Sequence, residues 1–316
     1  PCAHFGVCGG CWLQHVDIGA QQRYKMQALT ELFAAQNIEI KPTVLASGKP
    51  YGYRRKARLS VRYVAKKDKV LVGFREHGGR FVANIEQCPI LEPAAEKLLL
   101  PLSELIYNLH SRESTPQIEV AVAENAIALI VRHLTELSAH DIDAWRAFAI
   151  EHNIQLYLQP KATASIHALQ PAQPDALFYS TQNPNLKFNF HPASFIQVNA
   201  AVNQQLINLA IKYLQVQSNE IVLDLFCGIG NFSLPLAINA QQLIGIEGDE
   251  QAVIQARANA ELNNLDNCQF YSTDLTVPDN ALKIYSGKVD AMLLDPPRSG
   301  AKELIPLLKT WQPNKI

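Results

Sequence analysis

The residues of this sequence best suited to chemistry form the loop Asp224-Leu225-Phe226-Cys227-Gly228-Ile229-Gly230-Asn231-Phe232, which places an acid and two alternate glycines after an apolar run. The run from Ile221 predicts a buried parallel strand, and the residues after the loop predict the start of a helix. Gly228 and Gly230 leave room for a ligand and permit backbone angles that a side chain forbids. Glu247 ends the next apolar run, roughly where an acid that reaches ribose hydroxyls is expected. Loop and acid together predict an adenosine-containing ligand.

The spacing within the loop distinguishes two classes of nucleotide-binding enzyme. Dinucleotide oxidoreductases favour three glycines in Gly-x-Gly-x-x-Gly, whereas Asp224, Phe226, Gly228 and Gly230 follow the pattern of S-adenosylmethionine methyltransferases. Asn231 is placed to hydrogen-bond the methionine part of that cofactor. Asp274, after a third apolar run, is placed to reach the adenine or the ribose, with a helix or turn cap as the alternative.

A second acidic motif, Asp295-Pro296-Pro297-Arg298, follows another apolar run and is expected at the same edge of the sheet. Methyltransferases that act on exocyclic amines carry an aromatic residue where Arg298 stands, so the motif favours another target atom, such as a ring carbon. Methylation of uracil C5 requires a thiolate that adds to C6. Cys227 and Cys268 are expected to be inert and structural, because one lies inside the cofactor loop and the other opens a predicted buried strand.

Four further cysteines, Cys2, Cys8, Cys11 and Cys88, have the spacing of a metal site. A disulfide framework is not expected, because the N-terminus lacks the pattern of a secretion signal. Four thiolates suit zinc or an iron-sulfur cluster, and spacing alone does not decide between them. One Cys-x2-Cys knuckle with an early and a late cysteine, the last followed by Pro89, favours [4Fe-4S].

A strongly basic stretch follows the first helix. Its cations alternate with apolar residues in a predicted strand and are accompanied by tyrosines, which suits phosphates and unstacked bases of RNA. The alternative is a solvated charged face. The candidate RNA-binding residues are Arg54, Arg55, Lys56, Arg58 and Arg62.

The elements that position these residues fall into two predicted domains. Residues 1–190 read as mixed α+β, with a packing helix at 21–36 that is a candidate to pack on the catalytic domain; residues 191–316 read as a mostly parallel, Rossmann-like α/β domain that is incomplete at its C-terminus. The net charge is -1, so a polyanion site has to be local. No apolar run approaches the roughly 20 residues that span a bilayer. We expect a cytoplasmic monomer.

These motifs in combination resemble the iron-sulfur-containing RNA (uracil-C5)-methyltransferases, and within them the RlmD type that acts on 23S ribosomal RNA. The resemblance rests on the glycine loop, the four cysteines, Leu294-Asp295-Pro296 and two further segments, Phe195-Ile196-Gln197-Val198-Asn199 and Tyr53-Arg54-Arg55-Lys56-Ala57-Arg58-Leu59. It covers the whole chain.

The resemblance implies a [4Fe-4S] cluster on the four cysteines and a flipped-out target uridine facing Phe195, Gln197 and Asp295. It implies cofactor contacts at Gln197, Phe226, Asn231, Glu247, Asp274 and Asp295. It also implies parts outside this sequence: an oligonucleotide-binding barrel before Pro1, a nucleophilic cysteine in a Ser-Cys-Asn-Pro motif shortly after Ile316, and a glutamate base further on. The fragment itself is then expected to be inactive. A tRNA uracil-C5 methyltransferase and a non-catalytic iron-sulfur RNA-binding protein remain alternatives.

Overall fold

The computed structural model describes residues 2–45 and 48–316, which form two compact units. The first unit contains residues 2–175 and Ile196–Val202, and the second contains Ala176–Phe195 and Asn203–Ile316. The segment 176–190, which the sequence analysis placed in the first domain, belongs to the second unit, whereas Ile196–Val202 returns to the first.

The first unit is built on a six-stranded sheet in the order β2-β1-β3-β4-β5-β6. Neighbouring strands are antiparallel except for the β4–β5 pair, which is parallel and joined through helix α4. The strands are β1 (Lys56–Val64), β2 (Lys69–Gly73), β3 (Gln117–Val122), β4 (Ile127–Arg132), β5 (Gln155–Gln159) and β6 (His167–Gln170), and the helices are α1 (Ile18–Ala34), α2 (Pro93–Glu96), α3 (Leu99–Tyr107) and α4 (Ala139–Glu151).

Strand β1 shows how the alternating sequence pattern determines the core of this unit. Ala57, Leu59 and Val61 are buried, while Arg58 and Arg62, at alternate positions of the strand, are exposed. This is the half-buried strand with a basic outer face that the period-two pattern predicts. The buried side chains join one hydrophobic cluster with residues of α3 and α4.

Helix α1 begins where Asp17 caps it, with the Asp17 carboxylate accepting the backbone N–H of Gly19 and of Ala20. The helix predicted at 21–36 therefore forms, shifted by a few residues. None of its side chains is fully buried, and Tyr24 and Leu32 are mostly exposed. Its packing on the catalytic domain stays a prediction.

A hairpin around Gly78-Gly79 forms without a regular second strand. Backbone bonds join Ala83 N to Phe74 O and Glu76 N to Phe81 O, each at 2.9 Å. The cysteine loop attaches to this hairpin through Gly9 N, which donates to Arg75 O at 2.8 Å. A Cβ on Gly9 would stand 3.0 Å from that same oxygen, so the close approach requires glycine.

The second unit contains a four-stranded sheet in the order β11-β10-β9-β12, with every pair parallel, and a separate two-stranded hairpin. The hairpin is β7 (Leu177–Gln182) and β8 (Asn185–Phe190). The sheet strands are β9 (Ile221–Leu225), β10 (Gln242–Glu247), β11 (Cys268–Ser272) and β12 (Ala291–Leu294), and the helices are α5 (Ala200–Leu214, whose first three residues lie in the first unit), α6 (Ser233–Ala237), α7 (Glu250–Leu262), α8 (Pro278–Ile284) and α9 (Leu308–Trp311).

The strand order creates a topological switch point at β9. The chain moves outward from β9 through β10 to β11 and then returns to the other side of β9 with β12. Ligands of open α/β sheets bind at such a point, outside the carboxyl ends of the strands. Both the glycine loop and Asp295 follow strands at this edge. Within the described residues, no helix combines the length and apolar character needed to cross a membrane.

Candidate functional site

The glycine loop after β9 holds an unusual backbone. Phe226 has φ +68°, Gly228 φ +54° and Gly230 φ +90°. The backbone N–H of Phe226 and of Cys227 both donate to Ile246 O on β10, at 2.8 and 3.2 Å. At Gly228 the positive φ alone favours glycine, since a Cβ there would meet nothing within 4 Å. At Gly230 a Cβ would also approach Leu234 Cγ to 3.3 Å. A positive φ at a phenylalanine costs free energy, and such strain concentrates at ligand sites.

Asp224 is a buried acid at the end of β9. Its side chain is 1% exposed, and its Oδ2 accepts the Ser233 hydroxyl at 2.5 Å. Its Oδ1 is buried and has no hydrogen-bond partner within the described chain. Burial raises the pKa of Asp224 to about 7, with Asp295 and Glu247 adding smaller repulsions and Ser233 opposing them. The site thus contains an acceptor that a donor group could satisfy.

Glu247 fixes the backbone around the loop. Its Oε2 accepts the N–H of Gly228 at 3.1 Å, and its Oε1 accepts those of Gly248 at 2.8 Å and Asp249 at 3.1 Å. The carboxylate predicted to bind ribose therefore lies beside the glycine loop, and it also organises the turn into α7. Three backbone N–H donors therefore hold this side chain in place.

Asn231 is held by two residues that the sequence analysis missed. Its Oδ1 accepts the Tyr179 hydroxyl at 2.9 Å and the Asn203 amide at 2.8 Å, while its Nδ2 donates to Asn203 Oδ1 at 2.9 Å. Asn231 was predicted to bind the methionine part of a cofactor, and one amide N–H remains for that purpose. Asn203 could have been found from the sequence, because it shares a helix face with the buried Ile207 and Leu214.

Asn259 supports the same loop from α7. It is fully buried, and its Nδ2 donates to Ile229 O and to Asn189 O, each at 3.1 Å, while its Oδ1 accepts Asn189 N at 2.9 Å. An amide on the apolar face that also carries Val253, Ala256 and Ala260 is the sequence signal for this role.

The two remaining acids lie at the same edge of the sheet. Asp274, two residues after β11, accepts the backbone N–H of Thr276 at 2.8 Å and its hydroxyl at 2.6 Å, and these bonds lower the pKa of Asp274. This is the turn cap that the sequence analysis gave as its alternative. Asp295 directly follows β12 and stays exposed, although partial burial of its carboxyl raises its pKa.

Phe195 is 77% exposed in the second unit, and Gln197 lies in the first, where its carbonyl accepts Arg55 Nε at 2.8 Å.

The four clustered cysteines line one cavity of about 250 Å³ in the first unit. Cys2 Sγ accepts His4 N at 3.4 Å, Cys8 Sγ accepts Gly10 N at 3.4 Å, and Gln14 Nε2 lies 3.6 Å from Cys11 Sγ. Burial is the main cause that raises the pKa of Cys8, Cys11 and Cys88, and neighbouring thiolates raise it further. These thiols can ionise together only beside compensating positive charge.

The spacing of the sulfur atoms bears on the kind of metal. Across residues 2–45 and 48–316, the one group of three or more metal-ligating side chains with donor atoms all within 4.8 Å of one another is His110, His140 and Asp141. No three of the four cysteine sulfurs therefore lie within 4.8 Å of one another, whereas Zn–S bonds of about 2.3 Å place tetrahedral sulfurs about 3.8 Å apart.

Most of the predicted RNA-binding cations make contacts within the first unit. Arg55 is buried and bonds Gln197 O; Arg58 pairs with Glu119, with Nη2 and Oε1 2.8 Å apart. Burial lowers the pKa of Lys56 to about 8. Arg54 lines the cysteine cavity, and Arg62 is exposed.

Neither remaining cysteine is suited to nucleophilic attack. Cys227 is buried behind the glycine loop, and burial raises its pKa well above the usual range. Cys268 is half-buried at the start of β11, where burial raises its pKa to about 12. A reactive thiolate needs the opposite environment, so the expectation that both are inert is consistent with their surroundings.

A parallel sheet with a switch point, a strained glycine loop and acids at successive strand ends defines a nucleotide-binding α/β domain of the methyltransferase kind. A solved structure of the same fold is the Pyrococcus abyssi tRNA (uracil-54, C5)-methyltransferase in complex with S-adenosyl-L-homocysteine. It matches 96% of this chain and 74% of its own, with a TM-score of 0.72 and 21% identity.

The family model described as tRNA (Uracil-5-)-methyltransferase matches residues 17–313. The chain belongs to this family, and it is an S-adenosylmethionine-dependent RNA uracil-C5 methyltransferase. Two relatives named 23S rRNA (uracil(1939)-C(5))-methyltransferase RlmD are from Alkalilimnicola ehrlichii and Xanthomonas oryzae pv. oryzae. The first is 41% identical over 317 residues, covering 100% of this chain and 71% of the relative, and the second is 44% identical over 318 residues, covering 98% and 71%.

Proposed function

We propose that this enzyme methylates C5 of a uridine in 23S ribosomal RNA. The observation that carries the proposal is the identity of 41 and 44% to relatives with that printed activity, over nearly the whole chain. The identity includes both units, so it is not confined to the methyl-donor domain that many methyltransferases share.

The glycine-loop edge of the second unit is the proposed site of the methyl donor. S-Adenosylmethionine supplies an electrophilic methyl group when bound. Asp224 and Glu247 lie at the ends of β9 and β10, and Asp274 and Asp295 follow β11 and β12. With Asn231 in the loop after β9, these side chains share one edge of the sheet, which supports their predicted roles there. Gly228 and Gly230 keep the loop backbone open to the ligand, Phe226 precedes them, and Gln197 and Phe195 are proposed to face the cofactor and the flipped uracil.

The proposed reaction needs a thiolate. Uracil C5 becomes nucleophilic when a cysteine adds to C6; the enolate then attacks the methyl group, and a base removes the C5 proton so that the cysteine can leave. Cys227 and Cys268 are too buried to ionise readily, and the other four cysteines share the metal-like cavity. Since the sequence has six cysteines, we propose that the covalent nucleophile lies outside these 316 residues.

Cys2, Cys8, Cys11 and Cys88 are proposed to hold a [4Fe-4S] cluster. The donor set fits, because four sulfurs line one cavity and backbone or side-chain N–H groups point at three of them. One Cys-x2-Cys knuckle with an early and a late cysteine, the last followed by Pro89, favours such a cluster over one zinc ion. Methyl transfer requires no electrons, so the role we propose is to hold the loops together.

Incubation of the full-length protein with methyl-labelled S-adenosylmethionine and unmodified 23S RNA tests the proposal. Label is expected in 5-methyluridine after nuclease digestion and mass spectrometry. Label on any other atom of the RNA would contradict the proposed reaction.

The competing substrate is tRNA, because the matching family model and the Pyrococcus abyssi protein both carry tRNA in their descriptions. An equimolar mixture of unmodified 23S RNA and tRNA separates the two. Preferential methylation of tRNA would replace the ribosomal assignment and keep the uracil-C5 chemistry.

A further inference from the structure

A second cavity of the first unit, of about 730 Å³, lies next to the cysteine cavity and has a different lining. We propose that it is a groove for a single-stranded, unstacked segment of RNA. This inference rests on the proposed function, because it gives the enzyme's RNA a place of contact that includes Trp12, Lys25 and Lys49 and lies outside the basic strand.

The lining combines aromatic faces with cations. Trp12 is 70% exposed and Tyr51 44% exposed, and Tyr53 lies half-buried beside them. Trp12 and Tyr51 present exposed ring faces, and bases stack on such faces without regard to sequence. Lys25 and Lys49 are exposed on the same lining and are suited to phosphates.

The acidic content of the groove does not oppose a polyanion. Asp17 is the one carboxylate among the described residues that line it, and its Oδ1 already accepts two N–H groups at the start of α1. The helix begins there, so the partial positive charge of its N-terminus offsets the carboxylate. The described lining therefore carries two lysines, Lys25 and Lys49, against one carboxylate.

Both walls of the groove are attached to the cysteine loops. Trp12 directly follows Cys11, and the Trp12 ring meets the His77 ring edge-on at 4.4 Å between centroids. The opposite wall is anchored by Gly52 N to Pro89 O at 2.7 Å and Arg54 N to Ile90 O at 2.9 Å, just after Cys88. Cys11 and Gln14 line both cavities. The ring positions are thus fixed by the same loops that carry the metal-ligand candidates.

Two cations of the basic strand already have partners within the first unit, so the groove offers cations that the strand does not. Arg55 and Arg58 are engaged within the unit, by Gln197 and by Glu119. Lys25, Lys49, Trp12 and Tyr51 lie outside that strand, so their joint position becomes visible only when the chain is folded.

Fluorescence anisotropy of a labelled uridine-rich single-stranded RNA oligonucleotide with the full-length protein tests the groove. Trp12→Ala and Tyr51→Ala should each weaken binding about 5- to 150-fold. Trp12→Phe should retain most of the affinity, which separates loss of stacking from loss of fold. The double variant Lys25→Ala/Lys49→Ala should reduce the slope of log K against log salt by about 1.4, because each phosphate contact on a single strand contributes about 0.7.

The matched control is the double variant Lys212→Ala/Tyr213→Ala, which removes an exposed lysine-tyrosine pair of α5 that does not line the groove. It should bind the oligonucleotide like the wild type. Groove variants with wild-type affinity and salt slope would overturn the proposal, as would equal binding of the oligonucleotide and its duplex.

Methylation assays on the same proteins separate this proposal from the proposed function. Formation of 5-methyluridine with an unchanged KM for RNA in the groove variants would refute the groove and leave the function intact. If the wild type binds the oligonucleotide but methylates no uracil, and the groove variants lose that binding, the groove is supported and the proposed function is refuted.

Discussion

The buried carboxyl group of Asp224 should make the stability of the second unit depend on pH. Its pKa is about 7 in the folded chain and about 3.9 when unfolded. The folded state therefore holds this proton more tightly, so its contribution to stability is complete below about pH 4 and is lost as the pH rises through about 7. At about 1.36 kcal/mol for each unit, the loss approaches about 4 kcal/mol, of which roughly 2 to 3 kcal/mol falls between pH 5 and pH 8.

The variant Asp224→Asn removes this titration. The free energy of opening of the wild type should fall by roughly 2 to 3 kcal/mol from pH 5 to pH 8, and that of Asp224→Asn should not show this fall. Hydrogen-deuterium exchange of the β9 amides, corrected for the intrinsic effect of pH, measures this difference within the relevant unit.

Asp290→Asn is the matched control. Lys288 and the backbone of Ile221 hold the pKa of Asp290 below its usual range, so this acid is ionised in both states from pH 5 to pH 8. Its substitution should change stability by the same amount at both values. A difference between wild type and Asp224→Asn that does not change with pH would refute the assignment of a raised pKa to Asp224.

Three further predictions concern the cofactor loop and the cysteines. Asn203→Ala removes two hydrogen bonds to Asn231, worth about 1–3 kcal/mol together, and should weaken S-adenosylhomocysteine binding, measured by calorimetry, up to about 150-fold. Tyr179→Phe loses one bond to Asn231 and should show a smaller effect. Unchanged cofactor affinity despite a lower melting temperature would mean that the network is purely structural. Glu247→Gln replaces an acceptor of Gly228 N by a donor and should weaken S-adenosylhomocysteine binding about 5- to 10-fold while RNA affinity is kept. Equal losses of cofactor affinity and RNA affinity would refute the cofactor-binding role of Glu247. The anaerobically purified protein should be brown and contain iron and sulfide, and Cys88→Ser should lose that absorbance; a colourless wild type with stoichiometric zinc would refute the cluster.

The strand and loop of the methyl-donor site could be predicted because their signals are local. An apolar run, an acid and two glycines each reflect burial or backbone conformation at their own position, and Gly228 and Gly230 have the positive φ that the motif requires. Helix α8, between β11 and β12, carries no such local signal. Its seven residues include one buried side chain, Ala281, so no apolar stripe marks it.

The basic stretch shows where a correct local prediction does not give the function. The alternation of β1 was predicted and forms, but the partners of its cations lie far away in the sequence: Glu119 for Arg58 and Gln197 for Arg55. Composition counts charges, whereas pairing across a sheet decides which of them remain available for a ligand.

The sequence by itself determined the class of chemistry. Residue types and short spacings select S-adenosylmethionine over a dinucleotide, and they predict thiolate ligands for a metal, because those preferences belong to the residues themselves. Tertiary structure decided the surroundings: the amides of Asn203 and Asn259 that hold the glycine loop, and the groove in which Trp12 and Tyr51 share a lining. These contacts join residues tens of positions apart, and only packing of the folded chain brings them together.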